Sequence, residues 1–320
     1  MLRPKRKSPL RVVLKILLGF FVLFNAILFM QAYRLTYFYE IGEVPLQKPE
    51  LMTTSEKLSA ALLGVQIPKK AVVYTPLMPY QTITLTDSEG LKLEGWYVPV
   101  KDAKGTILLH HGHAGTKSGI VKEANYFNEL GYNTFALDAR SHGNSQGNVC
   151  TIGYEEAEDV KLSYDFVKSK GEKNIILWGV SMGAAMVMKA VPAYDLKPSK
   201  IMLDCPFGSM PDAVKGRLRM SHIPESPIAE ILLFYGSLIR GYWAFDYKPY
   251  EYAKGITCPV LYGWGRNDVR VTQAETDADF NNLASKDKTL VIYENSGHQS
   301  FCKNEEAKWK ASVKAFLEKK

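Results

Sequence analysis

Residues Gly179-Val180-Ser181-Met182-Gly183 constrain this chain more than any other stretch of its 320 residues. They form a G-x-S-x-G motif between an apolar run, Asn174 to Val180, and a small-residue run from Met182 through Ala184, Ala185, Met186, Val187 and Met188. The pattern predicts a strand, a sharp turn and a helix. Glycines beside such a turn let the backbone bend without a Cβ clash, and a serine at its apex projects its hydroxyl above the sheet. A buried Gly/Ser turn without chemistry has the same letters, but the strand before it and the helix after it favour a nucleophile.

A nucleophilic serine needs a base, and the base needs an orienting acid. Pro259 to Gly265 has the composition of a buried strand, and the following Gly265-Arg266-Asn267-Asp268 places Asp268 in the loop beyond it. Thr289 to Tyr293 is a further apolar strand, and its loop carries His298. Open α/β sheets hold their sites in loops past the carboxyl ends of parallel strands. The order Ser, Asp, His with each residue at a strand end predicts a triad of Ser181, Asp268 and His298. Asp204, just past the Lys200–Leu203 strand, is the alternative acid. An oxyanion hole needs backbone N–H donors. Met182 follows the serine at a helix start and supplies one. His113, in the glycine-bearing loop after the strand Thr106–His110, supplies the other.

Six segments carry a family likeness: His111–Gly115 (HGHAG), Asp138–Gly147 (DARSHGNSQG), Gly179–Gly183 (GVSMG), Leu203–Phe207 (LDCPF), Gly265–Val271 (GRNDVRV) and Ser296–His298 (SGH). On these motifs, residues 70–320 resemble the α/β-hydrolase superfamily and, within it, the serine-hydrolase branch of membrane-anchored, BEM46-like proteins. The resemblance implies a mostly parallel central sheet with helices on both faces. It also implies hydrolysis through an acyl-enzyme, with Ser181, Asp268 and His298 as nucleophile, acid and base, and oxyanion amides at His113 and Met182. The chain departs from the family pattern at His113, often a small or amide residue, and at Ser141, often glycine.

Other signals are weaker. His110, His111, His113 and His142 cluster in two loops, but there is no H-e-x-x-H or paired-cysteine pattern, so neither a metal nor an organic cofactor is expected. Cys150, Cys205, Cys258 and Cys302 are scattered and form no disulfide framework. The net charge of +7 comes from 40 basic and 33 acidic residues. Arg3, Lys5, Arg6, Lys7, Arg11 and Lys15 account for nearly all of the excess, so no nucleic-acid-binding face is expected.

That basic flank, residues 1–11, precedes an apolar stretch at 12–30 of a length that spans a bilayer. It predicts a single-pass signal-anchor with a cytoplasmic amino terminus and the catalytic domain on the extracytoplasmic side. The alternative is a secreted protein after signal-peptide cleavage. A connector follows at 31–72, with Tyr33, Tyr37, Phe38 and Tyr39 near the membrane and Pro45, Pro49 and Pro68 beyond. The α/β domain occupies 73–320 and opens with a hairpin, 82–86 and 91–97. Helices are expected at 120–130, 155–167 and 305–317. An insertion at about 206–255 is either a cap whose apolar helix at 227–244 forms an acyl pocket, with Met220 and His222 at an entrance, or an ordinary crossover helix.

The reaction class that follows is serine hydrolysis of a carboxylic ester or related acyl bond on a small-molecule or lipid substrate. A serine peptidase or amidase would use the same triad, and a noncatalytic binding module is the third possibility.

Overall fold

A computed structural model describes residues 9–44 and 52–319. Eight extended runs pair into one sheet: β1 (Gln81–Thr86), β2 (Lys92–Val98), β3 (Thr106–His110), β4 (Asn133–Leu137), β5 (Ile175–Val180), β6 (Lys200–Asp204), β7 (Val260–Gly265) and β8 (Lys288–Tyr293). Their spatial order is β1-β2-β4-β3-β5-β6-β7-β8. Neighbours from β4 to β8 are parallel, and β2 runs antiparallel to both β1 and β4. Parallel strands covered on both faces bury every side chain, which is why TILLH and IILWGV are almost unbroken apolar runs. The edge strand β1 instead alternates, QTITLT, with one face in solvent.

The longer helices among the described residues are α1 (Pro9–Leu35), α2 (Thr54–Leu63), α3 (Val121–Glu129), α4 (Ala157–Ser169), α5 (Met182–Ala193), α6 (Met210–Met220), α7 (Ile228–Arg240), α8 (Gln273–Asn282) and α9 (Glu306–Glu318). Side chains alternate across the sheet, so Leu108 and Leu177 join α4, α5 and α8 in one core layer. Ile107, Leu109 and Trp178 face the other way and pack with Phe127 of α3 and Trp309 of α9. This is the α/β-hydrolase fold.

α1 is long and apolar enough to cross a bilayer, roughly 40 Å at 1.5 Å per residue. Leu10 to Phe24 are exposed, whereas Leu28 and Ala32 are buried. The helix continues to Leu35, past the expected span, because its last turns have partners. Tyr235 of α7 donates to Asn25 Oδ1 at 2.8 Å, and Arg240 Nε donates to Thr36 Oγ1 at 2.8 Å. Gln31 and Arg34 donate to carbonyls of Ala61 and Gly64 at the end of α2. α2 itself was not expected, although Thr53 and Glu56 form a legible capping box at its start. Arg3, Lys5, Arg6, Lys7, Pro45 and Pro49 lie outside the described residues.

The insertion between β6 and β7 holds α6 and α7. α7 does not line the Ser181 cavity itself; it lines a smaller cavity that shares Ile152 with it. Its apolar face lies against α6 and α1, and α6 is the helix that borders the cavity beside Ser181.

Two glycines position the central helix. A Cβ on Gly183 would overlap the His110 carbonyl, and one on Gly179 would lie 2.5 Å from the Gly183 carbonyl. Gly183→Ala is therefore expected to cost about 3 kcal/mol or more, while Gly236→Ala on α7, where nothing lies within 4 Å, is neutral or stabilising. Urea midpoints of the full chain in neutral detergent check this; equal midpoints for the two variants would refute it.

Candidate active site

β5, β7 and β8 end on the same edge of the sheet because their registers align: Val180 pairs with Asp204, Asp204 with Gly263, and Gly265 with Tyr293. The loops beyond them bring Ser181, Asp268 and His298 together. Ser181 adopts φ 54° and ψ −116° between β5 and α5, a left-handed conformation rare outside glycine. Its N–H donates to the Asp204 carbonyl at 2.8 Å, and its carbonyl accepts the first helical bond, from Ala185. The turn is thus held from both sides while Oγ stays free of the backbone.

Ser181 Oγ lies 2.7 Å from His298 Nε2, and His298 Nδ1 lies 2.8 Å from Asp268 Oδ2. The other Asp268 oxygen accepts from the amides of Arg270 at 2.8 Å and Val271 at 2.9 Å. These two bonds fix the carboxylate so that only Oδ2 faces the imidazole. The Asp268 and His298 loops touch directly: Asn267 N–H donates to the Ser296 carbonyl at 2.9 Å, and a Cβ on Gly265 would meet that same oxygen at 2.5 Å.

Asp204 is not part of this chain of contacts. Its Oδ2 accepts from the indoles of Trp178 at 3.2 Å and Trp309 at 3.0 Å. Burial pushes its carboxyl up to about 7, and the two indole donors oppose that rise. Asp204 therefore ties the sheet to α9 from the opposite side.

His113 and Met182 both line the cavity of about 350 Å³ that contains Ser181 and His298. Neither amide has a hydrogen-bond partner among the described residues. Two histidines hold the loop that carries His113. His111 Nε2 accepts from Ala139 N–H at 3.1 Å, and its Nδ1 faces the Gly112 carbonyl at 2.8 Å. His142 Nε2 accepts from Ala114 N–H at 3.1 Å, with Nδ1 facing the Arg140 carbonyl at 2.8 Å. This bonding assigns a neutral Nδ1–H tautomer to each ring and occupies both nitrogens, which leaves no lone pair for a metal. Phe38 packs against His142 and His113, with ring centroids 4.7 and 5.1 Å apart, so the segment after α1 reaches the same loop. The thiols of Cys150, Cys205, Cys258 and Cys302 are all unpaired. Cys205 sits beside the Asp268–His298 pair, and burial raises its thiol well above the ordinary range.

The family model described as "Serine aminopeptidase, S33" matches residues 101–234. The chain is 27% identical over 246 residues to the uncharacterized protein YqkD of Bacillus subtilis, a match covering 75% of this chain and 80% of that one. It is 23% identical to a carboxylesterase of the same organism, over 68% of this chain and 94% of the relative. The Pyrococcus furiosus esterase Pf2001 superimposes with a TM-score of 0.65 at 21% identity, over 78% of this chain and 97% of the esterase.

The chain has the α/β-hydrolase fold.

Two cavity residues of this protein were not singled out by sequence. Arg217 on α6 and Arg270 beside Asp268 both face Ser181's cavity. Arg270 belongs to the GRNDVRV motif and was legible as part of it; Arg217 carries no local signal. Met220 does approach the rim, since its sulfur lies 3.2 Å from Arg270 Nε, whereas His222 is exposed away from it.

Burial, with the nearby His111, depresses both His110 and His142 from 6.5 to about 3. Below pH 6.5 the unfolded chain binds protons that these folded histidines refuse. Their contribution is complete above that pH and is lost as pH falls toward 3, at about 1.4 kcal/mol per pH unit for each residue. Buried carboxyls such as Asp204, raised to about 7, act in the opposite sense, so the readout is the difference between variants: His142→Asn is expected to change the slope of urea midpoint against pH below 6.5 by about one proton's worth relative to wild type. An unchanged slope would count against it.

Proposed function

We propose that this protein of α/β-hydrolase fold is a membrane-tethered serine hydrolase that cleaves carboxylic esters through an acyl-enzyme on Ser181. The observation that carries this reading is the continuous bonding from Ser181 Oγ through His298 to Asp268, with the serine held in a left-handed turn at the cavity wall.

In the proposed cycle, His298 Nε2 takes the Ser181 proton as Oγ attacks the carbonyl carbon. The tetrahedral oxyanion accepts from the free amides of His113 and Met182. His298 then delivers the proton to the leaving alcohol, and the C–O bond breaks to give the acyl-enzyme. Water, deprotonated by the same imidazole, attacks the acyl carbon and releases the carboxylic acid and free Ser181. Asp268 holds Nδ1–H throughout and stabilises the imidazolium. α1 would be the anchor, with the amino terminus cytoplasmic and the hydrolase domain on the extracytoplasmic face. The esters it meets there include acyl lipids. A peptidase reading has one specific support, the description of the matched family model.

Fluorophosphonate labelling of the full chain is expected to modify wild type and not Ser181→Ala. Asp268→Asn should lower kcat by about 10,000-fold, whereas Asp204→Asn should leave labelling in place in whatever fraction folds. Nitrophenyl esters are expected to turn over faster than aminoacyl nitroanilides; the reverse preference would favour the peptidase. Absence of labelling on folded wild type would remove the hydrolase reading.

A further inference from the structure

Charge in the Ser181 cavity is one-sided. Lys70, Arg217, Arg270 and Lys303 line it, and no aspartate or glutamate does. Among the described residues none of these four joins an ion pair; the neighbouring Lys69 and Arg219 do, with Glu40 and Glu225. Lys303 donates to the Gly119 carbonyl at 2.7 Å, and among the described residues the Arg270 guanidinium hydrogen-bonds only to the Met220 sulfur, at 3.2 Å. The Arg217 guanidinium has no hydrogen-bond partner among the described residues.

The two arginines are brought together by backbone. Gly216 lies so close to the loop after Asp268 that a Cβ there would overlap the Arg270 carbonyl. Arg219 reinforces the contact by donating to the carbonyls of Val269 and Arg270 at 3.2 and 3.3 Å. α6 is thus docked on the Asp268 loop with Arg217 and Arg270 on one wall of the cavity. Burial, and then the charge of Arg270, lower the Arg217 guanidinium to about 10. A half-buried guanidinium without a carboxylate is costly unless an anion completes it, and arginine pairs bind carboxylate and phosphate in a bidentate manner.

The remaining wall is apolar. Ile152 is shared between this cavity and a smaller one lined by Ala32 and Leu35 of α1, Met210 and Val214 of α6, and Leu233 of α7. Beyond it, Phe29 of α1 and Phe234 and Leu238 of α7 are exposed, and they continue the apolar surface of the anchor. One side of the site is therefore cationic, and the other leads toward the anchor helix.

We infer that the Ser181 cavity takes an acyl ester bearing an anionic group, phosphate or carboxylate, clamped by Arg217 and Arg270, with its acyl chain directed toward α1 and α7. This rests on the serine-hydrolase reading above and names its substrate class. The apolar continuity with the anchor commits it to an amphiphile drawn from the membrane surface.

The test compares kcat/KM of the full chain in neutral detergent on two matched pairs: a monoacylglycerol against its phosphate, and nitrophenyl butyrate against nitrophenyl hemisuccinate. Wild type is expected to prefer the anionic lipid at least tenfold, and added salt should erode that preference. Arg217→Gln should lower the anionic-to-neutral ratio at least tenfold, mainly through KM, and Arg217→Lys should restore part of it. A wild-type ratio at or below one, or an Arg217→Gln loss equal on both members, overturns the inference. Preference in the soluble pair alone supports the clamp and overturns a lipid as its source. Should Arg217→Gln not fold, Arg270→Gln and the salt dependence of wild type give the same readout. Calorimetric binding of hexyl phosphate to Ser181→Ala needs no turnover. There, at least tenfold weaker binding on adding Arg217→Gln is expected even if no ester is cleaved, and unchanged affinity overturns the clamp.

Discussion

The close approach of α5 to the end of β3, possible only without a Cβ at Gly183, underlies the rest of the structure. Gly183 lies against the His110 carbonyl, and Gly179 lies against Gly183. With both in place, the backbone turns within one residue, Ser181 takes its positive φ, and α5 starts directly over the sheet edge. The unpaired amide at the start of that helix, Met182, is then at the cavity wall as a consequence of helix geometry. A bulkier residue at either glycine would push α5 outward and separate the serine from the His298 loop.

Around that turn, buried polar groups fix the loops that a site needs and that packing alone leaves free. Lys117 is fully buried between Asp138 and Glu94. Asp138 also accepts from the amides of Lys117 and Asn144, so one carboxylate organises the ends of β3 and β4. His111 and His142 each accept a backbone N–H from the other loop's neighbourhood, which stitches the His113 loop to the Asp138 loop. An unpaired donor or acceptor in such surroundings costs about 1–3 kcal/mol, so these contacts specify one loop conformation rather than merely adding stability. Of the four histidines that look like a metal cluster in sequence, His111 and His142 are committed to backbone on both ring nitrogens.

Much of the sheet was legible because parallel strands buried on both faces are short apolar runs with clear ends. TILLH coincides with β3, and the hairpin of β1 and β2 follows from alternation. The Ser, Asp and His positions were legible for the same reason, since each follows such a run. Where the sequence left alternatives open, periodicity had no information about partners. α7 has an apolar stripe, and that stripe shows a buried face without saying which neighbour covers it; α1 and α6 do, with a small cavity left among the three. α1 continues past the expected end because its last turns hydrogen-bond to the end of α2 and to α7.

Sequence alone determined the α/β-hydrolase architecture, the strand-turn-helix about Ser181, the order of the three side chains and the apolar amino-terminal helix. Each of these is written in local pattern: apolar period, glycine placement and residues just beyond strand ends. Tertiary structure alone decided that Asp268 and not Asp204 reaches His298, because which loop folds back depends on contacts between residues 30 positions apart. It also decided that Arg217 meets Arg270 across the cavity wall and that the segment after α1 rests on the His113 loop. Those are encounters between distant elements, and a linear pattern holds no record of the distance between them.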